Sequence, residues 1–183
     1  MAVSLEMLFK GFFVNLIITA VTVGILLIPG ILLTLLAKKA PIIGKIFGWL
    51  SIPFECICPI AMILCLYYLF PGMRTLLGGT DVSAIFMAIL ALTVAYLGYM
   101  PARFVPEYSF LKNISYNSLG LISAIFKWSF CVFAIGGQDL LFYARNMMNR
   151  NYQTGILWVP LAVCFVCLLG IELLRRIVKQ FMK

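Results

Sequence analysis

Five apolar runs, each about as long as a bilayer is thick and separated by short gaps that hold most of the charge, leave this chain few folds to choose from. The first, "GFFVNLIITAVTVGILLIPGILLTLLA", covers residues 11–37. The others cover 46–70, 82–100, 119–136 and about 155–176. Inside hydrocarbon the backbone must satisfy its own hydrogen bonds, so runs of this length are helices and not strands. Composition agrees: 64% of the 183 residues are hydrophobic, 11% are charged, and the mean hydropathy is +1.10. A soluble domain carries about 25% charged residues. The expected fold is therefore all-α: a polytopic integral membrane helix bundle of about five transmembrane helices, in a single transmembrane domain over residues 1–183. Pro29, Pro53 and Pro59 fall inside runs and imply kinks repaired by neighbouring helices. The first run is too long for the apolar region of a cleavable signal peptide and ends in Lys38-Lys39, with no small-residue cleavage site.

The gaps set an orientation. Lys38, Lys39, Lys45, Arg103, Lys112, Arg175, Arg176, Lys179 and Lys183 fall on one side of the alternating runs. Only Lys10, Arg74, Arg145 and Arg150 fall on the other. Basic loops stay in the cytoplasm, so the N-terminus is expected outside and the C-terminus inside. The net charge of +8 is read as topology; no basic stripe interleaved with aromatics lies outside the apolar runs, so nucleic acid is not an expected partner. Trp49, Tyr67, Tyr68, Tyr99 and Trp158 lie near run ends and suit interfacial belts.

The chain lacks histidine, a Gly-x-Ser-x-Gly elbow and a phosphate loop. Its six cysteines all lie in apolar runs, where small buried hydrophobes are expected in place of metal ligands. No catalytic residues, metal site or cofactor are expected, and the chain is not expected to be an enzyme. Two ionisable residues sit well inside runs, Glu55 and Lys127. A charge at the bilayer centre costs at least about 2.5–3.5 kcal/mol on insertion scales, which marks each as a functional candidate. Two readings stand: the charges border a transport path, or they pair across the bundle and fix its packing. Lys127 lies nine residues before Gly136, about 13 Å below the expected helix end, too deep for its side chain to snorkel out fully. Its run is rich in small residues, Gly120, Ser123, Ala124 and Ser129, and is expected to be an inner helix. Gly136-Gly137 should then break the helix and turn Gln138 and Asp139 into solvent. The stretch 136–155 is amphipathic, with Leu140, Leu141, Met147 and Met148 opposite Arg145 and Arg150, and predicts a short helix at the membrane surface. Glu172 and Arg175 predict an i,i+3 pair.

The opening "LFKGFFVNLIITAVTVGILLIPGILLTLLAKKAP" resembles the first helix of the permease subunits of bacterial amino-acid ABC importers, with Gly11, Asn15, Thr19, Gly24 and Gly30 in comparable places. The stretch "GLISAIFKWSFCVFAIGGQDLLFYARNMMNRNYQ" resembles the same family more strongly, through Lys127, Ser129, Ile135, Gly136, Asp139 and Leu140. The resemblance covers most of the chain. It implies a permease subunit in the inner (plasma) membrane, moving amino acids or similar small polar solutes. It further implies an ABC ATPase in the cytoplasm, a solute-binding protein outside, and a homo- or heterodimeric permease partner. Ser129 joins Glu55 and Lys127 as a path candidate. The family's ATPase-coupling loop maps to 101–120, with Val105-Pro106 at its start and Glu107 and Tyr108 following. The family's Arg-Gly-Thr-Pro is reduced to the Pro of "CICP", and the Glu-Ala-Ala coupling motif is absent. The alternative expectation is a degenerate relative acting as a non-transporting structural or regulatory membrane subunit.

Overall fold

The structure, a computed structural model, describes residues 2–40, 42, 44–49, 58–69, 80–151 and 154–181. Glu55, Arg74 and much of the second expected helix lie outside the described residues. Every regular element among the described residues is helical: α1 (Ala2–Lys39), α2 (Pro59–Leu69), α3 (Thr80–Tyr96), the short α4 (Tyr99–Ala102), α5 (Phe110–Ser129), α6 (Leu140–Asn151) and α7 (Trp158–Phe181), with 3₁₀ turns at Val132–Ile135 and Thr154–Leu157. Among the described residues, three stretches are long and apolar enough to cross a membrane: Glu6–Lys39, Ala84–Ala102 and Gly155–Gln180. They mark the chain as a helical membrane protein. In the second run residues 46–49 are helical, and α2 near its end is 11 residues long. The fourth run differs from expectation in its bounds. Its helix begins at Phe110 and ends at Ser129, before the expected break at Gly136-Gly137, so Lys127 stands in its last turn and not nine residues below its end; Lys112, Asn113, Asn117 and Lys127 lower its hydropathy.

Polarity along α1 is arranged by helical spacing. Gly11, Asn15, Ile18, Thr22, Leu26, Gly30, Thr34 and Ala37 recur every three or four residues and are buried. Phe13, Ile17, Val21, Ile25, Ile28 and Leu32 point outward, as a membrane solvent permits. The two hydroxyls at Thr19 and Thr34 donate back to the carbonyls of Asn15 (2.8 Å) and Gly30 (2.6 Å), so burial leaves neither unsatisfied.

The buried stripe of α1 packs against α3, α4, α5 and α6. α3 presents Ala84, Ala88, Ala91 and Ala95 inward, and such small residues let helices approach closely. α2 lies on α3 through Ile63 and Tyr67. Phe12 of α1 meets Phe126 of α5 edge-on at 6.4 Å, while Lys38 at the other end of α1 sits 5.7 Å from the Phe110 ring. The two helices are therefore antiparallel. α7 lies on α5 antiparallel to it, with Arg175 beside Gly120 and Val163, Cys164, Cys167 and Leu168 around Phe126 and Phe130. Most of α7 faces outward; only 6% of its apolar window is buried.

This arrangement sorts charge by end. Lys38, Arg103, Lys112 and Arg175 gather with the α4–α5 loop at one end, called here the basic end. At the opposite end Gly11 rests on the backbone of Asp139 and Leu140, where a Cβ would come within 2.7 Å of main-chain atoms. Glycine is required there by that close approach. The paired sequence signal "GG" also resolves: Gly136 adopts φ 85°, the left-handed conformation, and ends the turn that follows α5.

Candidate functional site

Lys127 projects from α5 on the side opposite Leu121 and Ile125, which are buried in the core. The expectation of a central helix holds for α5, which touches α1, α3, α4 and α7. The lysine itself, however, is exposed. With Ala124 and Trp128 it borders a cavity of about 340 Å³, closed by Ala95, Tyr96, Tyr99 and Arg103 and by Pro59 at the start of α2. Lys127 Nζ lies 5.3 Å from the Trp128 ring centroid, and the Arg103 guanidinium lies 3.9 Å over Tyr99. Tyr96 and Tyr99 stand edge to face at 5.8 Å. Aromatic faces next to a cation attract it through the ring quadrupole. Two cations, two phenols and an indole line one opening, and no carboxylate is among the described lining residues. Cationic side chains of this kind are donors of charge-assisted hydrogen bonds to anionic groups such as carboxylates.

The other path candidates fall elsewhere. Ser129 is buried, and its hydroxyl donates to the Phe126 carbonyl at 2.8 Å. It is outside the cavity wall, because the helix turns it toward the core side. Glu55 lies outside the described residues.

The expected coupling loop is shorter in coil than its sequence suggested. Residues 103–109 alone are non-helical, and the rest of 101–120 belongs to α4 and α5. Ser109 caps α5 by accepting from Lys112 N at 3.3 Å. Asn113 then staples the loop: its Oδ1 accepts from Val105 N at 2.9 Å, and its Nδ2 donates to the Val105 carbonyl at 2.8 Å, with those of Tyr108 and Ser109 also in range. Asn117 Nδ2 adds a bond to the Arg103 carbonyl at 3.2 Å. Pro106 and Glu107 stand exposed at the tip, and Tyr108 is half-buried with Lys112 Nζ 4.1 Å over its ring.

Asp139 overturns one expectation. It does not turn into solvent; its exposure is 0%. Oδ1 accepts from Phe142 N at 2.8 Å, capping α6, and Oδ2 accepts from Phe133 N at 3.1 Å, tying the cap to the turn after α5. Burial pushes its carboxyl up to about 7, against the pull of those backbone bonds. The stretch is helical as expected, forming α6 with Leu140, Ala144 and Met147 buried and Arg145 exposed. The i,i+3 pair is present as well: Arg175 Nη1 lies 3.6 Å from Glu172 Oε2, and Arg176 Nε lies 3.7 Å from Oε1.

Sequence reasoning found Lys127 and missed the rest of its cavity. Tyr99, expected in an interfacial belt, is buried, as is Tyr67; Trp49, Tyr68 and Trp158 are exposed. The missed signal was the spacing of Ala95, Tyr99 and Arg103, each four residues apart on the α3–α4 strip. Comparison with known proteins gives no matching family model, no matching curated protein and no matching solved structure.

Proposed function

We propose that the chain is a membrane-spanning permease subunit of an ABC-type importer for amino acids or similar small polar solutes. It sits in the inner (plasma) membrane as a multi-pass bundle of about five crossings, basic end in the cytoplasm, and works with an ABC ATPase, an external solute-binding protein and a second permease subunit. The observation that carries this reading is the cavity beside Lys127, where two cations and two tyrosines face one opening amid apolar helices. An amino acid presents the carboxylate such a set selects. The sorting of Lys38, Arg103, Lys112 and Arg175 to one end supports the orientation. A second reading, a non-transporting structural or regulatory subunit, is favoured by the loop at 103–109, which offers no helix for an ATPase to grip.

The test is uptake of labelled amino acids by cells expressing the chain with its co-purifying partners, wild type against Lys127→Met. Loss of a charge-assisted contact of about 1.5–3 kcal/mol predicts roughly tenfold or more slower uptake, with the complex still assembled. Assembly without uptake in the wild type supports the structural reading instead.

A further inference from the structure

A second cavity, of about 600 Å³, lies at the basic end, where two apolar stretches stop together. One stretch ends at Lys39 and the other at Ala102, which places the cavity at the level of a membrane–water interface. Residues 44–49 are helical and double back over the end of α1; a Cβ on Gly44 would lie 3.5 Å from the Ala37 Cβ and 3.8 Å from the Pro101 carbonyl oxygen. The wall includes Ala37, Lys38, Lys45, Trp49, Pro101 and Phe104. Lys38 and Lys45 are exposed, and Trp49 is 77% exposed. No carboxylate is among the described wall residues; Glu107, next after the lining Pro106, is not one of them. Along α1 from Lys38 toward the bilayer interior, Leu36, Leu35 and Leu32 are exposed.

We propose that this cavity seats the headgroup of an anionic phospholipid. Lys38 and Lys45 contact the phosphate. Trp49 and Phe104 line the glycerol level, where aromatic rings are favoured. The acyl chains run along Leu32, Leu35 and Leu36. Charge complementarity carries the choice of occupant: two lysines at the interface, with no acid among the described wall residues, attract an anionic headgroup over a zwitterionic one. The contiguous apolar face of α1 favours a lipid over a free anion, because it gives chains a place to lie.

The test uses the full chain with Trp128→Phe and Trp158→Phe, so that Trp49 alone fluoresces, in phosphatidylcholine bilayers containing a minor fraction of brominated lipid. Brominated phosphatidylglycerol is expected to quench Trp49 more than brominated phosphatidylcholine at the same fraction. Each lysine near the surface contributes about 1 kcal/mol, so Lys38→Gln and Lys45→Gln are each expected to weaken the preference about fivefold. Lys179→Gln, on the exposed face of α7, is expected to leave it unchanged, and matched gel-filtration profiles confirm that the variants fold. Inorganic phosphate in excess is expected not to compete. Equal quenching by the two lipids overturns the proposal, as does a preference insensitive to both glutamine changes. Competition by phosphate overturns it in favour of a small-anion site.

Discussion

Asp139 shows how one residue joins three elements. It holds the turn after α5 through Phe133 N, caps α6 and lies under Gly11 of α1. Its carboxyl, ordinarily near 3.8, is raised to about 7 by burial. The sign follows from proton counting. Between about 4 and about 7 the folded state holds a proton that the unfolded chain has released, so stability falls as pH rises through that window and levels off above it. An asparagine side chain at this position would keep the acceptor for Phe142 but could not ionise. Asp139→Asn is therefore expected to flatten the dependence of Tm on pH over that window, read by thermal unfolding in one detergent across a pH series. A slope unchanged in the variant would assign it to other groups. Gly11 supplies a matched pair with Gly24. Gly11→Ala drives a Cβ to 2.7 Å from the Asp139 backbone, an overpacking that costs about 1–3 kcal/mol. Gly24→Ala, on the same helix with nothing within 4 Å, is expected to gain about 0.5–1 kcal/mol from helix propensity. Opposite shifts in Tm are the expected result.

At the scale of elements, α5 organises the bundle, and its polar N-terminal half is the least obvious part of it. The stretch "SFLKNISYNS" reads as a loop because its buried face is polar: Lys112, Asn113 and Asn117 are each at most 6% exposed. Those residues satisfy a neighbouring loop, and a partner distant in sequence leaves no mark on local hydropathy. By contrast the amphipathic pattern of α6 was legible, since it expresses a local rule of helical spacing, whereas Gly136 closes the 3₁₀ turn and not the helix, which already ends at Ser129. Lys127 was legible because a charge in an apolar run stands out by itself. Its cavity depends on α3 and α4 meeting α5, which spacing within one run does not encode. Asp139 was misread for the same reason: its polarity suited water, while its bonds to Phe133 and Phe142 and the cover of Gly11 are tertiary. Asn113→Ala is expected to lose about 1–3 kcal/mol and to free the 103–109 loop, since buried donors and acceptors lose their partners together. Limited proteolysis should then cut within that loop, while wild type resists.

For the whole molecule, the outward faces of α1 and α7 define the surroundings. Phe13, Ile28 and Leu32 on one helix and Leu161, Phe165 and Val166 on the other are all more than half exposed. A solvent of hydrocarbon makes that surface stable, and α7, buried over so little of its length, depends on it or on a second subunit. In the proposed topology the sorted ends are opposite sides of one membrane. Lys38 and Lys179 lie on the side proposed to be cytoplasmic, and Glu6 and Arg145 on the other. With the six native cysteines replaced by serine, a single cysteine at each of these four positions can be probed in intact cells with a thiol reagent that does not cross the membrane. The account predicts labelling at positions 6 and 145 and none at 38 or 179 until the cells are opened. Labelling of 179 together with 145 in intact cells would contradict it.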